Sequence, residues 1–277
     1  MFIKEHFKSF KNDIIFSYNT KEMFDIKITG EQIILIDCSY YIFYRYFATK
    51  RWISFQKNTE NIDFLESFER HFENDLNKLC KKFKTPKTNI YFGVDCCRNT
   101  IWRNEYLKTY KQQRIDNPEF NREIFDYFKS TLKDKYNLKL INCDHLEADD
   151  VIGIIHKEIT NKINTIIITN DSDYVQLKND RTTIINMQLK DITLKHNLKN
   201  YTIYKALLGD KSDNIKRVGK ISKTTAEKII QKSTDEIYEW LADNELLTEY
   251  NNNIRLIDFN YIPEELINRL LSKINII

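Results

Sequence analysis

The clearest pattern along the chain is a set of short apolar runs that each stop on an acid. Ile33-Ile34-Leu35-Ile36 runs into Asp37, and Ile90-Tyr91-Phe92-Gly93-Val94 runs into Asp95. Thr165-Ile166-Ile167-Ile168-Thr169 ends on Asn170-Asp171-Ser172-Asp173. Continuous β-like runs of this length, with helical periodicity between them, are expected of strands covered on both faces. They predict an α/β fold with a mostly parallel central sheet flanked by helices. A further apolar run, residues 151–155, reads as helix and follows Glu147-Ala148-Asp149-Asp150. Beyond Tyr201 the periodicity is helical. One helix over 201–208 ends at Gly209, a polar connection spans 209–215, and a second helix begins near Ser222. The boundary is placed accordingly, with a larger domain over 1–190 and a smaller helical domain over 191–277.

In an open parallel sheet the functional crevice lies beyond the carboxyl ends of the strands. Asp37, Asp95 and the Asp171/Asp173 pair are therefore expected on one edge. Glu147, Asp149 and Asp150 should join them from a helix N-terminus, where the helix dipole tolerates negative charge. Taken singly, each aspartate has a simpler reading as a helix N-cap or a solvated turn. Acids arriving from four separate element ends exceed what capping requires. Close carboxylates disfavour joint ionisation, and a hard divalent cation with oxygen ligands, Mg²⁺ or Mn²⁺, would offset that repulsion.

Composition narrows the class. The chain has 277 residues, 42% hydrophobic and 30% charged, enough for a real core and for a soluble globular protein. No apolar stretch approaches the roughly 20 residues of a membrane span, and charges scattered through residues 1–32 leave no signal-peptide core. The cysteines Cys38, Cys80, Cys96, Cys97 and Cys143 show no metal-ligand spacing, and neither do the histidines. Free thiols imply a reducing compartment, hence a cytoplasmic location.

Net charge is only +3, but it is unevenly spread. Residues 78–114 hold ten Lys/Arg against Asp95 and Glu105, and residues 205–232 hold eight against Asp210, Asp213 and Glu227. A basic run is commonly just a solvated helix face. On a helix starting near Arg103, however, Arg103, Tyr110 and Arg114 point within about 40° of one another, with Lys111 at the margin. Cations beside an aromatic ring suit phosphates and unstacked bases. This segment carries few apolar residues and is expected to be mobile until a strand orders it. Together, acids on a sheet edge and basic segments leading from it read as metal-dependent phosphodiester chemistry.

These motifs, in this order, resemble the flap-endonuclease family of structure-specific 5′ nucleases. Ile36-Asp37-Cys38-Ser39 and Val94-Asp95 match its first two aspartate motifs, and Glu147-Ala148-Asp149-Asp150 its acidic block. Tyr110-Lys111-Gln112-Gln113-Arg114 is similar to its basic arch, placed here at about 98–120. Asn170-Asp171-Ser172-Asp173 is similar to its Gly-Asp-x-Asp, and the segment 209–215 to the entry of its helix–three-turn–helix, placed at about 201–232. Residues 256–263 resemble the ribonuclease H branch found in T-even phages. The likeness covers roughly 33–270.

The resemblance implies a PIN-like 5′ nuclease fold and two Mg²⁺ sites, with Mn²⁺ as a substitute. The ligands it implies are Asp37, Asp95, Glu147, Asp149, Asp150, Asp171, Asp173, Asp210 and Asp213. It implies hydrolysis of RNA primers and 5′ DNA flaps at a free 5′ end, by a monomer working beside a sliding clamp or single-strand-binding protein. Lys111 would lie over the scissile phosphate, Arg114 and Arg103 would steer the strand, and Tyr110 would stack on a base. Lys216, Arg217, Lys220 and Lys223 would follow the duplex. The family's hairpin carries glycines where this chain has Lys220 and Ser222, which weighs against close backbone contact with phosphate and against a K⁺ ion there.

Two other classes compete. A compact RNA-cutting toxin nuclease shares the acidic sheet edge but lacks the 210–213 loop and is typically about half this length. A non-catalytic branched-DNA binder of the same fold would be marked by lost ligands, and all nine acids are present.

Overall fold

In a computed structural model of the chain, residues 23–277 are described except 27–29, 58–60, 116 and 197–198. The segment 1–22, where the sequence showed no signal-peptide pattern, lies outside the described residues. The three apolar runs become β2 (Gln32–Asp37), β3 (Ile90–Gly93) and β5 (Asn164–Ile168). With β4 (Lys139–Ile141) and β6 (Thr182–Ile185) they form a five-stranded sheet in the order β4-β3-β2-β5-β6. Every pairing in it is parallel. A separate two-stranded parallel pair joins β1 (Phe24–Ile26) to β7 (Ile274–Ile276).

Alternate side chains of each strand enter two different cores. Ile33, Leu35, Tyr91, Ile141 and Ile167 pack under the helix Ala148–Ile159, whereas Ile34, Ile36, Phe92, Ile166 and Ile168 pack under the helices Cys38–Ser54 and Phe64–Phe83. Burial on both faces explains why the runs read as continuously apolar rather than alternating. Connections after β2 and β4 take the chain to opposite sides of β2, so β2 and β5 diverge at the switch in strand order, where a crevice opens. Asp37 lies in register with Gly93, and Ile36 with Ile168, which brings the strand ends to one edge. Gly93 has no room for a side chain. A Cβ there would lie 2.9 Å from the Ala148 carbonyl oxygen and 2.7 Å from Ile152, so the N-terminus of that helix docks tightly against β3.

A third core gathers the helices Tyr201–Leu208, Lys223–Ile229, Thr234–Asp243 and Leu247–Ile257 into a helical unit. The boundary expected from sequence is corrected at its far end. Phe259, Ile262, Leu266, Leu270 and Ile274 leave the helical unit and pack in the core beneath the sheet, with the helix Glu264–Leu271. The helical unit is thus an excursion from the sheet layer. Among the described residues no helix is long and apolar enough to cross a membrane.

Candidate active site

The acids converge. Asp37, Asp95, Glu147, Asp149, Asp171 and Asp210 line one cavity of about 1260 Å³ at the carboxyl edge of the sheet, together with Lys111 and Arg114. Asp37 caps the helix Cys38–Ser54 through the Tyr40 amide at 3.0 Å, so the capping reading holds for this residue alongside its place in the cavity. Its second oxygen accepts from Thr169 Oγ1 at 3.4 Å and Tyr174 Oη at 3.3 Å. Asp95 accepts from the Ala148 amide at 2.9 Å and from the Ser39 hydroxyl. Two groups are tight enough to share a cation: Glu147, Asp149 and Asp150, and Asp173, Asp210 and Asp213.

Electrostatics in the cavity show what is unsatisfied. Burial, then the charges of Asp95 and Asp171, push the Asp37 carboxyl up to about 7. Burial and the neighbouring Asp171 likewise lift Asp173 to about 7, against the pull of Lys205. Asp149 is raised well above the usual carboxylate range by burial and by Asp150, with Arg103 working the other way. Asp149 accepts only from the Asp150 amide, at 2.8 Å, which leaves its other oxygen without a protein donor among the described residues. Elsewhere the balance is reversed. Burial opposes ionisation of Asp210, yet Lys205 at 2.8 Å and Ser212 hold it down to about 2. Burial also opposes ionisation of Glu147, but Lys111 and Arg103 keep it below its usual range. Buried carboxylates with open oxygens, kept apart from full ionisation by one another, match the needs of a hard divalent ion.

Several expectations change. Residues 98–114 do not form a helix. They make short 3₁₀ turns at Arg98–Thr100 and Trp102–Glu105 followed by further turns, and Lys111 itself is left-handed with φ 55°. The reason is packing. Ile101 and Tyr110 are buried in the core of the helical unit and Trp102 in the core beneath the sheet. The Lys111 amide donates to the Asp213 carbonyl at 3.1 Å, so the segment is folded against both layers rather than loose.

Arg103 and Tyr110, expected to meet nucleic acid, are 1% and 3% exposed and face inward. Arg103 binds Glu147 and Asp150, while the Tyr110 hydroxyl donates to Glu147 at 3.0 Å and to Asp213 at 3.2 Å. Asp150, a member of the first acid group, is engaged by the protein itself. Its oxygens are filled by Arg103, by Trp102 Nε1 at 3.0 Å and by the Glu147 amide at 3.1 Å, and it is fully buried.

Other assignments keep their place. Lys111 Nζ lies 2.5 Å from Glu147 and 3.6 Å from Asp213, and its ammonium is held charged by those acids against the effect of burial. Arg114 reaches Asp213 at 2.5 Å from the cavity wall. Lys216, Arg217, Lys220 and Lys223 are all exposed on the helical unit. At the hairpin, Ser222 caps the following helix through Thr225 at 3.1 Å, and the Gly219 amide is taken by Glu249 at 2.7 Å.

Sequence reasoning missed Ser39, Thr169 and Tyr174 as donors to the acids, and Lys205, whose ammonium bridges Asp173 and Asp210. Their places two residues after Asp37 and two before Asp171 were the available signal for the first two.

An all-parallel sheet with an acid-lined cavity at its carboxyl edge, walled by a basic turn and a helical unit, is the PIN-like 5′ nuclease fold. Bacteriophage T5 D15 flap endonuclease, solved as a pseudo-enzyme-product complex with DNA and metal ions, superposes with a TM-score of 0.61. The identity is 18%, over 87% of this chain and 97% of that one. Residues 32–205 match the sequence model of the 5′-3′ exonuclease, N-terminal resolvase-like domain. The chain belongs to that 5′-3′ exonuclease family. It is 28% identical over 210 residues to the 5′-3′ exonuclease of Buchnera aphidicola subsp. Schizaphis graminum, covering 72% of this chain and 70% of that protein. Against the 5′-3′ exonuclease of Mycoplasmopsis pulmonis it is 27% identical over 233 residues, covering 79% and 73%.

Proposed function

We propose that the chain is a structure-specific 5′ nuclease that hydrolyses phosphodiesters of RNA primers and 5′ DNA flaps, using two Mg²⁺ ions that Mn²⁺ can replace. The observation that carries this reading is the set of acids converging on one cavity while Lys111 and Arg114 share its wall. Asp37, Asp95, Glu147, Asp149 and Asp171 suit one ion, and Asp173, Asp210 and Asp213 a second. When bound, such ions activate a water and neutralise the attacking and leaving oxygens. The chain's own residues do the rest. Lys111 brings a fixed positive charge to the phosphate as negative charge builds on it. Arg114, partly exposed, orients the strand through its planar guanidinium. Lys216, Arg217, Lys220 and Lys223 grip the duplex backbone without reading bases.

Primer removal from an RNA–DNA hybrid, by a monomer in the cytoplasm aided by a clamp or single-strand-binding protein, belongs to the same reading. It rests on the likeness of residues 256–263 to the phage ribonuclease H branch. The test is direct. A labelled 5′-flap duplex and an RNA–DNA hybrid are incubated with the protein in Mg²⁺ and in EDTA, and the products are sized. Short products with 5′-phosphate ends, formed only with Mg²⁺, are expected. Tight binding without turnover in either Mg²⁺ or Mn²⁺ would reject catalysis and leave a branched-DNA binder.

A further inference from the structure

Three cations of the arch segment pair with the acids, but they are not equivalent. Lys111 and Arg114 line the cavity, whereas the Arg103 side chain is 2% exposed and sits behind the cavity wall. Its guanidinium is shared among three acceptor groups in two parts of the fold. Nη1 donates to Glu147 Oε2 at 2.9 Å and to Asp150 Oδ2 at 2.8 Å, and Nη2 donates to Asp150 Oδ1 at 2.7 Å. Nε donates to the Leu256 carbonyl at 2.7 Å, in the last turn of the helix Leu247–Ile257. Carbonyls in a last turn lack a partner within the helix, so Arg103 closes the end of that helix with the same group that holds the acids. The Trp102 ring lies against the guanidinium at 4.6 Å.

We propose that Arg103 is a positioning residue for Glu147, and that it ties the Glu147 carboxylate to the seating of the helical unit. The proposal rests on the metal-dependent reading above. Arg103 and Tyr110 together occupy Glu147 Oε2, so Oε1 is left to Lys111, a residue of the cavity wall. Asp150 is the other half of the device. It spends its oxygens on Arg103, Trp102 and the Glu147 amide, fixing the first turn of the helix that carries Asp149. A planar fork can bridge Glu147, Asp150 and the Leu256 carbonyl at once, and a lysine ammonium in its place cannot. Groups that hold a ligand without touching the ion typically contribute 10–100-fold in metal affinity or activity.

The test uses Arg103→Lys and Tyr110→Phe in the full chain. Both keep the net charge, so a Coulombic gain for the ion cannot mask a loss of positioning. Mg²⁺ and Mn²⁺ affinities are measured by calorimetry, alongside flap-duplex affinity in Ca²⁺ and single-turnover rates across Mg²⁺ concentrations. For Arg103→Lys, ion affinity should fall on the order of 10–100-fold, with duplex affinity within about threefold and the rate recovering largely at high Mg²⁺. Tyr110→Phe, which leaves no buried charge unpaired, should move the same readings in the same direction by less, and it carries the test if the lysine variant does not fold. Unchanged ion affinity in both variants, with only a lower melting temperature, would overturn the proposal. So would a loss of duplex affinity at unchanged ion affinity, which would mean contact with the strand. Ion binding that responds as expected in a protein that cuts neither substrate would refute the nuclease reading and leave the role of Arg103 standing.

Discussion

Replacing Asp37 by asparagine should stabilise the metal-free protein at neutral pH, although it removes a residue at the centre of the site. Burial and the charges of Asp95 and Asp171 lift this carboxyl from its ordinary 3.8 to about 7. Below about pH 4 both folded and unfolded chains carry the proton, and the group has no effect on stability. Between about pH 4 and 7 the folded state keeps a proton that the unfolded state has released, so stability falls as pH rises. Above about pH 7 the penalty is complete, on the order of 4 kcal/mol, of which about 2–3 kcal/mol develops between pH 5 and 7.5. Asparagine cannot ionise, and its amide oxygen can still cap the helix through the Tyr40 amide. Urea denaturation in EDTA at pH 5 and pH 7.5 reads the effect. Asp37→Asn should lose that part of the pH dependence and be the more stable protein at pH 7.5, with Asp173 still contributing a slope of the same sign. Mg²⁺ should raise the midpoint of the parent at pH 7.5 more than that of the variant. A variant less stable than the parent in EDTA at pH 7.5, with the same pH slope, would refute the argument that repulsion is stored at this edge.

Lys111→Ala should lower the single-turnover rate about 10²–10³-fold while changing flap-duplex affinity much less, because its charge is aimed at the transition state; equal losses in rapid-quench and binding assays would count against this. Changing Lys220 and Lys223 together to alanine should do the reverse, reducing the slope of log affinity against log salt by about 2 with little effect on single-turnover rate. Leu270→Ala should cost about 2–5 kcal/mol by chemical denaturation, since Leu270 is fully buried in the core beneath the sheet. A change within about 0.5 kcal/mol would show that this helix is not part of that core.

The parallel sheet was legible because β2, β3 and β5 are buried on both faces and lead into acids, a pattern that survives without any knowledge of partners. The edge strands read less clearly, because β4 spans only three residues and β6 opens on two threonines, of which Thr183 is exposed. The convergence of the acids was legible for a topological reason, since parallel strands send all their carboxyl ends to one edge. What the chain did not disclose was which cation meets which acid. Arg103 and Asp150 are 47 residues apart, and nothing in a basic run says that one arginine turns inward. The hint was local, in Ile101 and Trp102, two large apolar residues that bury the backbone just before it. Helical spacing misled at Lys111, where a left-handed residue ends any regular turn. The return of residues 259–276 to the sheet layer was hidden for a similar reason, because an amphipathic helix does not name the surface it covers.

That return changes how the second acid group is held. Asp173 belongs to the sheet layer, while Asp210 and Asp213 belong to the helical unit, so the group is split between two bodies. A unit joined by one linker would search a large volume before its acids met the third. This one is joined twice, by the chain entering at 201 and by the chain leaving at 257, where Gln176 receives the Phe259 amide at 2.9 Å and donates to the Ile257 carbonyl at 3.1 Å. Double attachment keeps the effective concentration of Asp210 and Asp213 around Asp173 high even when the contact between the two bodies loosens. The course of the chain, and not only contact between carboxylates and cations, therefore keeps the three acids of this group together.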